Sequence, residues 1–256
     1  MSATPAVSDE LRGILKSRSN PRLAEATRRY FPTDVRALGV SNAEVRRIAD
    51  AFVKQKSLSP EERLAVTEDL LAQATHHEEV LLGFAVVRKA VGRSFDEALL
   101  DRFRYWLEHS VWSWAQCDDL CLTVMYPFFL TRTPAITRIQ HWTGSRSPWC
   151  RRAANVALVK FVNRELRTSR YMLPREVILG NAQRLLSDPE PYVQKSVGWL
   201  LKVAADHHRE AVVGFIQENI SGMQRDTLRY AIERLDPEQR KALLALEYKV
   251  RRSNAS

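Results

Sequence analysis

"PWCRRAANVAL" at 148–158 and "PYVQKSVGWLL" at 191–201 lie forty-three residues apart and share one plan. A proline leads, an aromatic follows, and a basic residue, Arg152 or Lys195, precedes small and apolar positions. Proline suits the first position of a helix, where its missing N–H costs no hydrogen bond, so each segment reads as a helix start. The offset falls within the roughly 40–47-residue period of stacked helix pairs. A weaker echo links "GFAVVRKA" (83–90) with "GWLLKVA" (198–204). A helix pair of this size cannot bury its apolar face alone and must stack on its neighbours.

The same periodicity extends outward in both directions. "SNAEVRRIADAF" sets Ser41 three residues before Glu44 as a capping box and places Val45, Ile48, Ala49 and Phe52 on one face. "SPEERLAVTEDLLAQA" opens with Ser59 as cap, Pro60 at the first helical position and Glu62 closing the box. "EEVLLGFAVVRKAV" and "DEALLDRFRYWLEH" continue the pattern. Prolines 21, 32, 60, 134, 148, 174, 189, 191 and 237 fall between such segments. Pro127 sits inside an apolar run and is expected to kink or end its helix. Strand-like alternation is almost absent. The chain reads as all-α, about a dozen short helices in a HEAT-like helical-repeat solenoid whose inner helices line a concave, basic surface. Residues 8–246 are expected to form one repeat domain, with 1–7 and 247–256 as mobile ends.

Charge points to the partner. The 256 residues carry a net charge of +9, and between Thr131 and Arg170 nine basic residues face one acid, Glu165. That segment holds +8 of the surplus, mostly as arginine, which grips phosphate with a planar fork of donors. Such a surface favours nucleic acid over an acidic protein or mere solubility. A hydrophobic fraction of 45% and a charged fraction of 27% exclude a disordered chain. The opening "MSATPAVSDELRGIL" carries no secretory signal and no segment is apolar enough to span a membrane, so a cytoplasmic, nucleoid-associated protein is expected. Cys117, Cys121 and Cys150 cannot all pair, which fits a reducing compartment. Cys117 and Cys121 lack a second ligand pair, so no metal is expected. His76-His77 and His207-His208 read as solvated loop residues.

One stretch holds chemistry. "VWSWAQCDDL" (111–120) places Trp114 and Asp118 four apart, on one helix face. An indole beside a carboxylate suits a site that meets a cation or a developing positive charge. "WCRRAAN", around Arg152, and "QKSVGWLLK", around Trp199, are further inner-helix candidates. Arg151, Lys160, Lys195 and Lys202 are the candidate phosphate contacts.

At these residues the sequence resembles the DNA alkylation repair glycosylases of the AlkD type, built from HEAT-like repeats. The resemblance runs from about Tyr30 to Leu246 and rests on "YFPTDVRALGV", on Trp114 and Asp118, on "WCRRAA" and on "QKSVGWLLK", in that order. It implies a catalytic role for Asp118, sugar-contacting roles for Trp114 and Trp199, and a DNA-backbone contact for Arg152. The chain departs from the family pattern at Ala115 and Cys117, and in the extra acid Asp119.

The chemistry is coherent on its own terms. A purine alkylated to 3-methyladenine or 7-methylguanine is cationic and departs as a neutral base, so no general acid is needed. The deoxyribose is what gains positive charge, and one fixed carboxylate can stabilise it and position water. Indole faces contact the cationic nucleotide and exclude solvent. The expected function is therefore base excision from alkylated double-stranded DNA by a monomeric enzyme without cofactor. A non-catalytic solenoid that binds distorted or branched DNA shares the arginine surface and does not need Asp118. A protein-binding scaffold fits the charge poorly, and no carboxylate cluster suits a two-metal nuclease.

Overall fold

Pro21, Pro60, Pro148, Pro191 and Pro237 each open a helix, so the proline spacing does set the boundaries of the architecture. The structure, a computed structural model, describes residues 4–31 and 35–253, with side chains as far as Glu247. Fifteen α-helices and one two-stranded hairpin are found among the described residues, and the fold is an all-α helical repeat. The chain divides into two compact units, Met1–Arg132 and Thr133–Ser256.

The first unit begins with α1 (Thr4–Ser17), α2 (Pro21–Tyr30), α3 (Asn42–Gln55), α4 (Pro60–Ala72) and α5 (His77–Val87). A short α6 (Val91–Ser94) and α7 (Leu99–His109) follow. Then α8 (Trp114–Asp119) runs through a π-helical turn (Leu120–Met125) into α9 (Tyr126–Leu130). Its core joins Leu11 and Leu15 of α1, Val45, Ile48, Ala49 and Phe52 of α3, Val66 and Leu70 of α4, and Leu81, Leu82 and Ala85 of α5. The four apolar positions read from "SNAEVRRIADAF" are thus all buried. The Ser59–Glu62 capping box is complete, whereas at Ser41 only the serine half forms, because Glu44 turns to Arg47. Helix α5 is buried on every side, which explains its continuous apolar run.

The second unit starts with a 3₁₀ segment (Thr133–Gly144), α10 (Pro148–Val156) and a short 3₁₀ turn (Val159–Phe161). The hairpin strands β1 (Asn163–Glu165) and β2 (Arg170–Met172) pair antiparallel, with Arg164 opposite Tyr171. Helices α11 (Arg175–Leu185), α12 (Pro191–Ala204), α13 (Arg209–Asn219), α14 (Arg225–Ala231) and α15 (Pro237–Ser253) complete it. The forty-three-residue echo is real structure: Pro148 and Pro191 start α10 and α12, which pack together. A string of buried amides and hydroxyls bonds them. Asn181 donates to the Ala154 carbonyl (2.9 Å) and to Asn155 (3.2 Å), and Asn155 donates to Ser196 (3.0 Å). At Gly198 an added Cβ would lie 2.9 Å from the Thr227 carbonyl and 3.0 Å from Tyr230 Cβ, so the glycine lets α12 approach α14. Gly83, its weaker echo, plays the same part in the first unit, with Thr67 donating to its carbonyl at 2.9 Å.

Three local features stand apart from the repeat pattern. The hairpin is a small addition to the all-α fold; each strand is three residues long, too short for alternation to register. Pro127 does not end the helical run at its own position: the preceding turn widens to a π-turn, with Tyr126 N–H donating to the Cys121 carbonyl, and helix continues to Leu130. Trp112, just before α8, is 36% exposed. Helix α1 starts at Thr4 and α15 continues to Ser253, so helix reaches into both stretches expected to be mobile. Pro32 and the rest of 32–34 in "YFPTDVRALGV", and the extreme ends 1–3 and 254–256, lie outside the described residues. No helix among the described residues is long and apolar enough to cross a membrane.

Candidate active site

The two halves of "VWSWAQCDDL" are fixed by one reciprocal pair of hydrogen bonds. Ser113 Oγ accepts from Gln116 N–H, and Gln116 Oε1 accepts from Trp112 N–H at 3.0 Å. This cap starts α8 at Trp114. Gln116, Cys117, Leu120 and Cys121 then face inward, leaving Trp114, Ala115, Asp118, Asp119 and Leu122 on the opposite face. That face is one wall of a cleft of about 590 Å³. The other wall comes from Ala26, Thr27 and Tyr30 of α2, from Phe31, from Asn42 and Arg46 of α3, and from His77. The sequence pairing of Trp114 with Asp118 is therefore realised in three dimensions.

Aromatic rings run across the cleft in sequence of contact. Trp114 lies 5.6 Å from Tyr30 and 5.8 Å from Phe31, and Phe31 lies 5.2 Å from His77. Tyr30 is 70% exposed at the rim, whereas Phe31 is buried. These distances are those of packed, tilted rings and leave the cleft wall largely apolar.

The adjacent acids part company. Asp119 Oδ1 accepts from Arg46 Nη2 at 2.7 Å, and Thr123 Oγ1 donates to Oδ2 at 3.3 Å. Burial pushes the Asp119 carboxyl above the usual aspartate value, against the opposing pull of Arg46, Thr123 and Arg88. Asp118 instead sits half-buried on the cleft lining. Arg88 is itself held by Asp50 at 2.7 Å, and Lys89 reaches the same carboxylate at 2.9 Å.

Sequence reasoning missed His77. It is 6% exposed and lies in the first turn of α5, not in a solvated loop. Its backbone N–H donates to the Arg36 carbonyl at 2.8 Å, and its side-chain Nδ1 is buried without a hydrogen-bond partner. Burial draws its pKa below the ordinary value, opposed by the charge of Glu78. Glu78 in turn accepts three backbone N–H groups, from Leu38 (2.8 Å), Gly39 (2.7 Å) and Val40 (3.3 Å). Gly39 is required there: its φ is +79°, and a Cβ would lie 2.1 Å from the Asn20 carbonyl. The helix start could have been read from "HHEEVLL", which begins a long apolar run, but the burial of His77 could not.

The remaining candidates lie in the second unit. Trp199 is half-buried on α12, next to Gly198. Arg152 is 5% exposed, and its guanidinium donates to the Tyr192 carbonyl. Arg151 forks onto Asp188 (2.6 and 3.0 Å) and onto the carbonyls of Ser145 and Arg146. Lys202 pairs with Glu233 at 2.7 Å, over the Tyr230 ring. Lys160 and Lys195 are the exposed pair; Lys195 lies 5.1 Å over the Tyr192 ring. Burial, then the charge of Arg164, lowers the Lys160 pKa.

A family model described as DNA alkylation repair enzyme matches residues 11–235. Among solved structures, a protein from Enterococcus faecalis described as a predicted DNA alkylation repair enzyme superposes with a TM-score of 0.72. The two are 17% identical over 86% of this chain and 97% of that one, a likeness of fold. No curated protein matches the chain in sequence.

Proposed function

The chain belongs to the DNA alkylation repair enzyme family, and on that premise we propose that it is a DNA glycosylase hydrolysing the N-glycosidic bond of cationic alkylpurines. The observation that carries this reading is the shared cleft wall of Trp114 and Asp118, a carboxylate beside an indole with Tyr30 and Phe31 continuing the aromatic surface.

In this reading Asp118 is the fixed negative charge. As the bond from C1′ to the purine nitrogen lengthens, the electron pair leaves with the base and neutralises it. The sugar becomes oxocarbenium-like, and Asp118 stabilises that charge and holds the water that adds to C1′. An apolar wall lowers the local dielectric and so strengthens the carboxylate's effect. Trp114 offers its face to the cationic nucleotide. Trp199 takes the second tryptophan role that the resemblance implies. Hydrolysis of this kind needs water and no cofactor.

Partner contacts follow from exposure. Lys160 and Lys195 are exposed and are proposed to meet phosphates of double-stranded DNA, while Arg151 and Lys202 are held by Asp188 and Glu233. Arg152, through the Tyr192 carbonyl, fixes the turn of α12 that carries Lys195. We assign it a share in DNA binding by that route. A monomeric protein acting on chromosomal DNA in the cytoplasm completes the reading.

The test is incubation with methylated duplex and chromatography of the released bases. Free 3-methyladenine or 7-methylguanine supports the reading. A folded protein that binds duplex and frees neither supports the non-catalytic binding protein instead.

A further inference from the structure

His77 has no part in the chemistry above, yet it lies in the same cleft. Its side chain is more than nine-tenths buried, its ring packs 5.2 Å from Phe31, and its backbone is tied to Arg36. Buried polar atoms are as a rule hydrogen-bonded, and Nδ1 here is not. With Nδ1 sealed, Nε2 is the nitrogen left to meet an occupant of the cleft. A stranded N–H is rarer in proteins than a stranded acceptor, so the proton belongs on Nε2. A second proton would have to sit on Nδ1, where no acceptor waits. The geometry therefore holds the ring neutral with one donor toward the cleft.

We infer that His77 is an uncharged substrate-binding and specificity residue, donating through Nε2 to an oxygen of the nucleotide in the cleft. This rests on the glycosylase reading of that cleft. A neutral donor suits it for a plain reason. A lysine or arginine there would set a positive charge beside a cationic base and a sugar becoming cationic; a neutral imidazole binds without that repulsion. The charged groups around it are consistent. Arg46 of α3 is paired with Asp119 of α8, Asp118 lines the cleft, and Tyr30 is the titratable group that α2 adds to the lining. On its own helix Glu78 is turned to Leu38, Gly39 and Val40, and Glu79 is tied to Thr75 and His76. Arg36 contributes its carbonyl. Burial also lowers the imidazole pKa, so the charged form is confined to acid solution.

Two measurements decide it. In protein carrying ¹⁵N-labelled histidine, a duplex with a tetrahydrofuran abasic analogue should shift the His77 Nε2 resonance. If that resonance stays still while amides of α8 move, the contact does not exist. In single-turnover release of 7-methylguanine, the wild-type rate should fall below neutral pH. His77→Gln should move that acid limb to lower pH, and His77→Phe should lose about two- to tenfold at neutral pH, the value of one neutral hydrogen bond. Superimposable acid limbs in wild type and His77→Gln would overturn the inference. If wild type frees no base at any pH, the glycosylase reading fails, and the resonance shift still decides whether His77 meets DNA.

Discussion

Arg46 Nη2 stands 2.7 Å from Asp119 Oδ1, and this pair separates two carboxylates that are neighbours in sequence. One acid is tied to α3 with its side chain 10% exposed; the other, Asp118, lines the cleft. Two titratable groups in unlike surroundings can divide roles, and in the proposed mechanism Asp118 is the one that meets substrate.

Arg46→Met leaves Asp119 buried without its cation. Because Arg46 is 41% exposed, the expected loss is about 1–2 kcal/mol at neutral pH, below that of a fully buried pair. The folded pKa of Asp119 already lies above its ordinary 3.8, so ionised Asp119 weighs against folding. The deficit of the variant should shrink as pH falls toward 4, and Arg46→Met/Asp119→Asn should recover most of it. Urea unfolding across pH measures both.

Glu79 behaves in the opposite sense. Burial raises its pKa, but hydrogen bonds from Thr75 and His76 and the charge of Lys16 outweigh it, and the carboxyl titrates below its ordinary 4.5. Its stabilisation is complete above that value and lost as pH falls through the folded pKa. Glu79→Gln should therefore lower Tm at pH 7, and the gap to wild type should narrow as pH falls below 4.5.

Gly39→Ala meets both a positive φ and the Asn20 carbonyl at 2.1 Å. A loss of about 2–4 kcal/mol is expected, read by thermal unfolding. The same loop holds Glu78 beside His77, so activity at a permissive temperature should fall as well.

Arg151 and Lys195 separate structure from DNA contact. Arg151→Ala strands Asp188, which is 5% exposed on its side chain, and should cost about 2–4 kcal/mol in stability. Lys195→Ala should leave stability within about 0.5 kcal/mol. It should reduce the slope of log K against log salt by about one. Fluorescence anisotropy at several salt concentrations, beside urea melts, reads the difference.

Much of this was legible beforehand. The helices announced themselves through caps, prolines and apolar spacing, and α10 and α12 through their shared opening at Pro148 and Pro191. Trp114 and Asp118 could be paired because four residues of helix is a fixed geometry. What escaped depends on distant partners. Nothing local tells which of Asp118 and Asp119 will find Arg46, seventy-three residues away. Nor could basic side chains be sorted from the text: Arg151 and Lys195 look alike until Asp188 claims one of them. His77 was misread because burial of a polar residue at a helix start is set by what packs over it, here Phe31.

The decisive measurement is single-turnover release of 7-methylguanine from methylated duplex by wild type and by Asp118→Asn, with duplex affinity measured in parallel. The expected result is release by wild type and a loss of about 10²-fold or more in the variant, at unchanged affinity, because the charge acts only as the sugar becomes cationic. Equal rates from the two proteins would remove Asp118 from the chemistry and, with it, the glycosylase mechanism proposed for this cleft.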